Sequence, residues 1–253
     1  MTVAEIRNGL QTEIIGQDIV SYDEVGSTND LALQRGAEGA LEGTLILAAH
    51  QTEGRGRRGR EWWAPPGSSI LASLILRHRL LATQTGLPNL IGAVSIATAI
   101  QNRTNLPALV KWPNDVLING KKVSGVLTEL GYDRHRQPFF VMGFGVNVNT
   151  TLADLSTELR DTATSLRIET GHEIRRTELI QEILHQLEGN YRLLKAGRTE
   201  PLIERANELL AMSGEWVHIE TTAGVFDGIA ERMDFDGRLI LRDRTGQVRK
   251  IWA

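Results

Sequence analysis

Residues 108–130 read ALVKWPNDVLINGKKVSGVLTEL. The first apolar run, Ala108–Trp112, predicts a short β-strand that ends at Pro113, because proline cannot donate a ladder hydrogen bond. The dipeptide at 119–120, Asn-Gly, favours a type I′ turn between two apolar runs. This stretch therefore predicts a short strand followed by a β-hairpin.

On both sides of the hairpin, strand-like and helix-like segments are mixed. Apolar runs of strand length predict β-strands, and apolar residues spaced by three and four positions predict amphipathic helices. Residues 51–68 are rich in glycine and proline and predict a loop. The predicted strands are Thr44–Ala49, Ser69–Leu76 and Pro138–Asn149. One predicted helix begins after the capping residues Ser27–Asp30, and three others cover Leu90–Gln101, Thr177–Leu194 and Leu202–Ala211.

The pattern changes after Ser213 and Gly214. Short β-like runs now alternate with glycine turns about every ten residues, a spacing that predicts a small β-barrel. We therefore predict two domains, residues 1–212 and residues 213–253. The four runs of the second domain are Trp216–Glu220, Val225–Ile229, Leu239–Leu241 and Val248–Trp252.

Composition excludes several classes of protein. The 253 residues contain no cysteine, which removes disulfides, thiol nucleophiles and cysteine-based metal sites. A net charge of -3 argues against non-specific binding of nucleic acid, which needs an excess of Lys and Arg. The apolar runs Ile70–Leu76 and Ile91–Ile100 are too short to span a bilayer, and no signal peptide is recognisable. We expect a cytoplasmic, soluble protein that does not act at a membrane.

Residues 54–60, GRGRRGR, place four arginines among seven residues of an otherwise acidic chain. Glycine lets the backbone bend around a ligand, and the planar arginine fork suits carboxylate and phosphate groups. Two other interpretations are a solvated charged loop and an RNA-binding Arg/Gly tract. One short run on an acidic chain is a poor partner for a polyanion, which disfavours the second of these.

The same glycines match the dinucleotide fingerprint G-x-G-x-x-G after a predicted strand. That motif requires a helix N-terminus to receive the pyrophosphate. Here the following residues include Pro65, Pro66 and Gly67, which leave no room for a helix of useful length. A phosphate-binding P-loop fails as well, because Gly59 is followed by Arg60 rather than by Lys and Ser or Thr.

A second polar cluster lies in the hairpin region. Asn114 and Asp115 stand at a strand end, where an amide and a carboxylate can bind hydrated Mg²⁺ or orient an amine. Lys122 lies just past the turn and can share a face with the same pocket. The alternatives are a turn role for Asp115 and a solvent-facing Lys122.

With these motifs in their order along residues 20–170, the sequence resembles the biotin protein ligases. The Gly-Arg loop and Lys-Trp-Pro-Asn-Asp are the most specific marks. The matching stretches are Ser27–Asn29, Gln51, Gly54–Arg60, Trp62, Lys111–Asp115, Lys122–Gly125, Gly143–Asn147 and Thr164–Leu166.

The resemblance implies an α+β fold. Its larger domain is a mixed β-sheet flanked by helices, similar to class II aminoacyl-tRNA synthetases, and its C-terminal domain is a small SH3-like β-barrel. Because the chain stops at Ala253, where relatives continue for another strand segment, we expect this barrel to be truncated. Residues 1–20 leave no room for a winged helix-turn-helix, so we expect a monofunctional ligase that does not bind DNA.

The resemblance also implies two half-reactions. Biotin and MgATP form biotinyl-5′-AMP, and a lysine of a biotin carboxyl carrier protein domain, that of acetyl-CoA carboxylase or a related carboxylase, then takes the biotinyl group. The cofactors are ATP and Mg²⁺, with biotin as substrate. The implied catalytic residues are Arg57, Lys122 and Asp115; those that contact biotin or the adenylate are Ser27, Thr28, Asn29, Gln51, Gly54, Arg55, Gly56, Arg57, Trp62, Lys122 and Gly125; those for ATP or Mg²⁺ are Asn114, Asp115 and Asn147.

Within this set, the resemblance assigns individual roles. Arg55, Arg57 and Lys122 offset the repulsion between a carboxylate and a polyphosphate, and Trp62 packs beside the adenylate. A reactive mixed anhydride must be shielded from water, so the Gly-Arg loop and Trp62 are expected to form a lid. Asp115 is the expected general base.

Three rival functions stay open. A lipoate–protein ligase has the same chemistry but should lack both specific motifs. An NAD-binding oxidoreductase would use the G-x-G-x-x-G match, and a biotin-binding repressor would need a DNA-binding domain. Residue patterns leave open whether the protein is a monomer or a homodimer.

Overall fold

The structure, a computed structural model, describes residues 1–78, 86–221 and 223–252. Its centre is a seven-stranded mixed sheet in the order β1-β2-β3-β7-β6-β5-β4, and a four-stranded antiparallel sheet follows in the order β11-β10-β9-β8. The helices are α1 Val3–Asn8, α2 Thr28–Glu38, α3 Leu87–Thr104, α4 Leu166–Thr170, α5 Arg176–Lys195 and α6 Glu200–Glu208. The strands are β1 Ile19–Val25, β2 Leu45–Gln51, β3 Ile70–Leu76, β4 Leu109–Lys111, β5 Asp115–Ile118, β6 Lys121–Tyr132, β7 Pro138–Val146, β8 Trp216–Thr221, β9 Gly224–Met233, β10 Leu239–Arg242 and β11 Val248–Ile251. The expected α+β class is confirmed.

Helices cover both faces of the large sheet. Strands β1 and β2 run parallel, which requires a crossover connection, and α2 supplies it. The remaining neighbours in this sheet are antiparallel. On one face α2 covers a small cluster that contains Ala32, Ile75 and Phe139. On the other face α3 and α5 pack over the main core. Strand β3 is buried along its whole length, which explains its continuous apolar sequence.

The predicted hairpin is confirmed. Asn119 and Gly120 both have positive φ, 50° and 78°, as a type I′ turn requires. In the β5–β6 ladder Asp115 is the partner of Gly125, and the register shifts between Val116 and Leu117. This pairing places Gly125, near the start of β6, beside Asp115, the first residue of β5.

The four predicted C-terminal runs form strands of one antiparallel sheet, and the small β-barrel stays a prediction. Their inward side chains, among them Met233, Leu239 and Ile251, join the same buried cluster as the large sheet. The Trp112 indole N–H also donates to the carbonyl of Gly237 at 2.9 Å. The two sheets therefore share apolar packing, and the boundary between residues 212 and 213 stays a prediction.

Most predicted boundaries move by one to four residues, and helix α6 ends at Glu208 rather than at the predicted Ala211. Helix α3 begins at Leu87, before the predicted Leu90, because Pro88 fits the first turn of a helix. Strand β7 ends at Val146, before the predicted Asn149, because the backbone N–H of Asn149 turns away to Ser68. None of the helices in the described part of the chain has both the length and the apolar character needed to cross a bilayer.

Replacement of Glu188 by glutamine should lower the thermal midpoint at neutral pH. The buried carboxylate of Glu188 on α5 accepts the backbone N–H groups of residues 13, 14 and 15, each at 2.9 Å. Burial alone would raise the pKa of Glu188, but these donors outweigh it and the pKa is lowered. A glutamine leaves buried donors unpaired, at a cost of about 1–3 kcal/mol, or roughly 2–10 °C in a chain of this size.

This difference should depend on pH. A lowered folded-state pKa stabilises the fold above the unfolded value of 4.5 and stops doing so as pH falls through the folded value. Thermal melts from pH 7 to pH 3 should therefore show the two proteins converging. Glu204→Gln, at an exposed position of α6, is the matched control, and an unchanged midpoint for Glu188→Gln would contradict the assigned role.

Candidate active site

A cleft opens where the start of α2, the loop after β2, and strands β6 and β7 meet. Its walls combine apolar side chains with a polar end and two arginines. The lining residues are Ser27, Thr28, Asn29, Gln51, Arg55, Gly56, Arg57, Trp62, Ala72, Asn114, Gly125, Val126, Leu127, Gly143, Phe144 and Gly145.

The polar end is held by hydrogen bonds between α2, β2 and β3. The backbone N–H and the hydroxyl of Thr28 both donate to the side-chain oxygen of Gln51 at 2.8 Å. The buried hydroxyl of Ser73 lies 2.8 Å from Thr28 Oγ1 and donates to Asn29 Oδ1 at 2.6 Å. Ser27 occupies the N-cap position of α2, but its side chain makes no capping bond. Ser27, Thr28, Asn29 and Gln51 are thus brought together, as the sequence predicts.

The floor of the cleft consists partly of bare backbone on β7. A Cβ at Gly143 would lie 2.0 Å from Asn29 Oδ1, and one at Gly145 would lie 2.3 Å from the indole of Trp62. Such distances are far below van der Waals contact, so a side chain at either position would displace Asn29 or Trp62. Gly125 pairs with Gly145 on the neighbouring strand.

The Gly-Arg loop forms a small hairpin over the cleft. At its base the N–H of Trp62 donates to the carbonyl of Gly54 at 2.8 Å, and Arg55 pairs with Glu61. At its tip residues 57–59 form one 3₁₀ turn, in which Arg58 has a positive φ of 57°. Gly54 is required at the base, because its Cβ would lie 2.3 Å from the carbonyl oxygen of Trp62.

The arginines of this loop point to different partners. Arg55 forms a bidentate pair with Asp30, and Arg58 donates to the carbonyl of Glu220 on β8. Arg57 donates to Asn114 Oδ1 at 3.1 Å and forms no ion pair with a carboxylate of the described residues. Burial, and then the charge of Arg58, lower the pKa of Arg57. Its positive charge is therefore available to an anion in the cleft.

Lys122 lies beside this cleft, as the hairpin predicts. Its Nζ is 2.7 Å from Asp115 Oδ1 and 5.6 Å from the ring centroid of Trp62. The buried indole N–H of Trp62 has no hydrogen-bond partner in the described residues. A cation, a carboxylate and an unpaired donor thus lie together beside the cleft.

Asn114 and Asn147 are both engaged by the protein. The amide of Asn114 donates to the carbonyl of Val126 at 2.8 Å and accepts from Arg57. The amide of Asn147 donates to the carbonyl of Thr164 at 3.1 Å, where it links the end of β7 to the segment before α4. Across residues 1–78, 86–221 and 223–252, no three His, Cys, Asp or Glu side chains are close enough to hold a metal ion.

Comparison with known proteins agrees with this geometry. The biotin/lipoate A/B protein ligase family matches residues 23–147. A bifunctional ligase/repressor BirA of Bacillus subtilis is 36% identical over 253 residues, which cover 100% of this chain and 78% of that protein. The chain belongs to this ligase family.

Two further proteins of known name are similar to this chain. A biotin--[acetyl-CoA-carboxylase] ligase of Mycobacterium tuberculosis is 33% identical over 233 residues, or 88% of this chain and 82% of that protein. The solved biotin protein ligase of Aquifex aeolicus, in complex with biotin and ATP, superposes with a TM-score of 0.82 at 27% identity, and the match covers 94% of this chain and 96% of that one.

The dinucleotide interpretation of the glycine pattern is excluded by the structure of this ligase-family chain. After Gly59 the chain passes through irregular backbone and a turn at residues 66–68 before β3, without a helix between residues 60 and 76. The glycines therefore shape a hairpin rather than a phosphate-binding helix N-terminus.

Several cleft residues of this family member were not found from sequence. Ser73 is the one polar residue in the apolar run of β3, a signal that is visible but not specific. Glu129 contacts both Asn29 and Arg55, and nothing in its local sequence distinguishes it from a solvated strand residue. The other lining residues absent from the predicted set are Ala72, Val126, Leu127, Gly143, Phe144 and Gly145.

Replacement of Gly145 by alanine should weaken ligand binding in the cleft by roughly one to two orders of magnitude. The new Cβ displaces the Trp62 indole, and overpacking of this kind costs about 1–3 kcal/mol. Isothermal titration with biotin measures the loss. Gly189→Ala on α5, where a Cβ meets nothing within 4 Å, is the matched control and should bind normally. Equal affinity for Gly145→Ala and the control would show that the indole position does not matter.

Proposed function

We propose that this protein is a biotin–protein ligase that activates biotin with ATP and transfers the biotinyl group to a lysine of a carrier protein. The observation that supports this most directly is the convergence of Arg57 and Lys122 on a cleft with an uncharged polar end. One cation lies on the loop and the other on β6, and Asp115 is the carboxylate that touches Lys122.

The first half-reaction joins two anions. A carboxylate oxygen of biotin attacks the α-phosphorus of ATP, the bond from that phosphorus to the bridging oxygen breaks, and pyrophosphate leaves. Arg57 and Lys122 lower the repulsion between the reactants, because charge-assisted hydrogen bonds are the strong ones in a partly desolvated cleft. The polar end formed by Thr28, Gln51 and Ser73 suits the ureido ring, whose polar groups would be costly to bury unpaired.

The second half-reaction uses the carrier's amine. Its nitrogen attacks the acyl carbon of biotinyl-5′-AMP, loses a proton, and AMP leaves. We assign Asp115 to orienting this amine and accepting its proton, because its carboxylate lies beside Lys122, next to the cleft residue Asn114. The loop hairpin and Trp62 cover the intermediate and limit its hydrolysis.

Mg²⁺ belongs to ATP in this proposal. It commonly binds proteins through one or two carboxylates together with phosphates of the substrate, and Asp115 is the carboxylate that the cluster offers. Asn114 and Asn147, the other predicted contacts, hold carbonyl groups in this structure, so their part in Mg²⁺ binding stays a prediction. The chemistry that Mg²⁺ supplies when bound is neutralisation of phosphate charge.

The finer predictions about organisation are proposals too. They are the division into domains 1–212 and 213–253, the likeness of the first domain to class II aminoacyl-tRNA synthetases, and an SH3-like second domain. We also propose the carrier domain of acetyl-CoA carboxylase or a related carboxylase as partner, no role in DNA binding, a cytoplasmic location, and a monomer or homodimer.

Mass spectrometry of a biotin carboxyl carrier domain incubated with this protein, biotin and MgATP tests the function. The carrier should gain one biotinyl group, and omission of ATP should abolish the gain. A carrier whose acceptor lysine is changed to arginine is the control. Modification by lipoate in place of biotin would favour the lipoate–protein ligase, and no modification by either acid would overturn the proposal.

A further inference from the structure

Asp30, Arg55 and Glu129 form a cluster at one edge of the cleft, called here the Arg55 cluster. Arg55 Nη1 donates to Asp30 Oδ2 at 3.0 Å, and Nη2 donates to Asp30 Oδ1 at 2.5 Å and to Glu129 Oε2 at 3.3 Å. The guanidinium is thus occupied by two carboxylates from two different elements, α2 and β6. Bidentate pairs of this kind define orientation as well as supplying energy.

The cluster continues into the polar end of the cleft. The same oxygen of Glu129 that meets Arg55 accepts the side-chain N–H of Asn29 at 2.6 Å. Asn29 in turn accepts from Ser73, a buried residue of β3. A chain of hydrogen bonds therefore connects the loop to α2, β6 and β3.

Arg55 lies at the base of the loop hairpin, whereas Arg57 lies at its tip. The base is closed by the bond from Trp62 N–H to Gly54 and by the pairing of Arg55 with Glu61. The N–H of Gly56 also donates to the carbonyl of Arg60 at 2.6 Å. An anchor on Arg55 therefore fixes the base of the loop hairpin independently of the conformation of its tip.

Arg55 and Arg57 differ in whether their positive charge is free to meet an anionic ligand. With two carboxylates against one guanidinium, the Arg55 cluster carries a formal charge of -1, so it offers no net attraction to an anionic ligand. Arg57 faces the neutral amide of Asn114 instead. The two arginines, two residues apart in sequence, therefore have different electrostatic roles.

We propose that Asp30 and Glu129 are positioning residues of the ligase, which act through Arg55 to anchor the base of the loop and leave Arg57 as the loop arginine that meets the adenylate. This inference rests on the proposed function for its ligand, but not for its anchoring geometry. It differs from the expectation drawn from sequence, in which Arg55 contacts the substrate itself.

Amide hydrogen exchange on the full chain without ligand tests the anchor independently of activity. In Asp30→Asn and in Arg55→Met, the amides of Gly56 and Trp62, which close the hairpin base, should exchange about fivefold faster than in the unchanged protein. Arg58→Met, which removes a cation from the tip, is the matched control and should leave these two amides unchanged. Unaltered exchange in both Asp30→Asn and Arg55→Met would overturn the anchor.

A double-mutant cycle separates positioning from direct contact. If Asp30 acts through Arg55, Asp30→Asn as a single substitution should speed the escape of biotinyl-5′-AMP about fivefold and leave the rate of its formation unaltered. When Arg55→Met is already present, adding Asp30→Asn should have no further effect. Arg55→Lys keeps the charge but loses the fork, so it should behave like Arg55→Met.

Two results would assign Arg55 to the ligand instead. These are full additivity of Asp30→Asn and Arg55→Met, or normal adenylate retention in Arg55→Lys. If the unchanged protein forms no biotinyl-5′-AMP, the proposed function fails, while the exchange experiment still decides the anchor. Thermal melts of every variant confirm that the comparison is made between folded proteins.

Discussion

Arg57→Gly should still make biotinyl-5′-AMP but should release it into solution. Arg57 reaches over the cleft from the loop tip, and its charge is not paired with a carboxylate of the described residues. Loss of a charge-assisted contact with the adenylate costs about 1.5–3 kcal/mol, which is roughly one to two orders of magnitude in retention. The escaped mixed anhydride should acylate lysines of an unrelated protein in the same tube, and blotting for biotin measures this.

The control for Arg57→Gly is Arg58→Gly, which removes the same side chain from the next residue. Arg58 binds the carbonyl of Glu220 and does not line the cleft, so this variant should label only the carrier. If Arg57→Gly forms no adenylate at all, Arg57 acts in the chemical step. If it forms adenylate and labels only the carrier, another part of the site confines the intermediate.

Lys122→Ala should reduce adenylate formation by roughly one to two orders of magnitude while the protein stays folded. The ammonium is the cation nearest Asp115 and Trp62, and its contacts with the reacting anions are charge-assisted, each worth about 1.5–3 kcal/mol. The pair with Asp115 is partly exposed, so its loss should cost about 1 kcal/mol or less in stability, or roughly 2–4 °C. Pyrophosphate release and a thermal melt measure the two effects separately.

Lys121→Ala is the matched control for Lys122→Ala. The neighbouring side chain points the other way, to the carbonyl of Arg160, and should leave adenylate formation unchanged. A large drop in the melting temperature of Lys122→Ala would instead give Lys122 a structural role. Equal activities for the two lysine variants would remove Lys122 from the reaction.

Local patterns predicted the parts of the site that lie close together in sequence. The Asn119-Gly120 turn requires positive φ at both residues, and it folds β6 back along β5, so that Lys122 returns toward Asp115. The glycines of the Gly-Arg loop predicted a bend, and Pro65, Pro66 and Gly67 predicted that no phosphate-binding helix follows it; the structure has a hairpin with one 3₁₀ turn at its tip. The capping residues Ser27–Asp30 predicted the start of α2, and Ser27, at the N-cap of this helix, lines the cleft.

Partners distant in sequence were not predictable in this way. Arg55 meets Glu129, which is 74 positions away, and Arg57 meets Asn114, 57 positions away. Each of the four loop arginines carries the same charge and the same fork, so nothing in the local sequence distinguishes the one that anchors from the one that stays available.

Composition and local pattern by themselves determined the class of this protein: no cysteine chemistry, a mixed order of strands and helices, a tight hairpin and an arginine-rich loop. Those properties follow from residue identity and backbone preference, which act over a few positions. The tertiary structure alone decided which side chains meet, that Gly143 and Gly145 leave room for the side chains of Asn29 and Trp62, and that Ser73 and Glu129 belong to the site. These depend on the register of β3, β6 and β7 in one sheet, and register is set by the packing of whole strands rather than by any short segment.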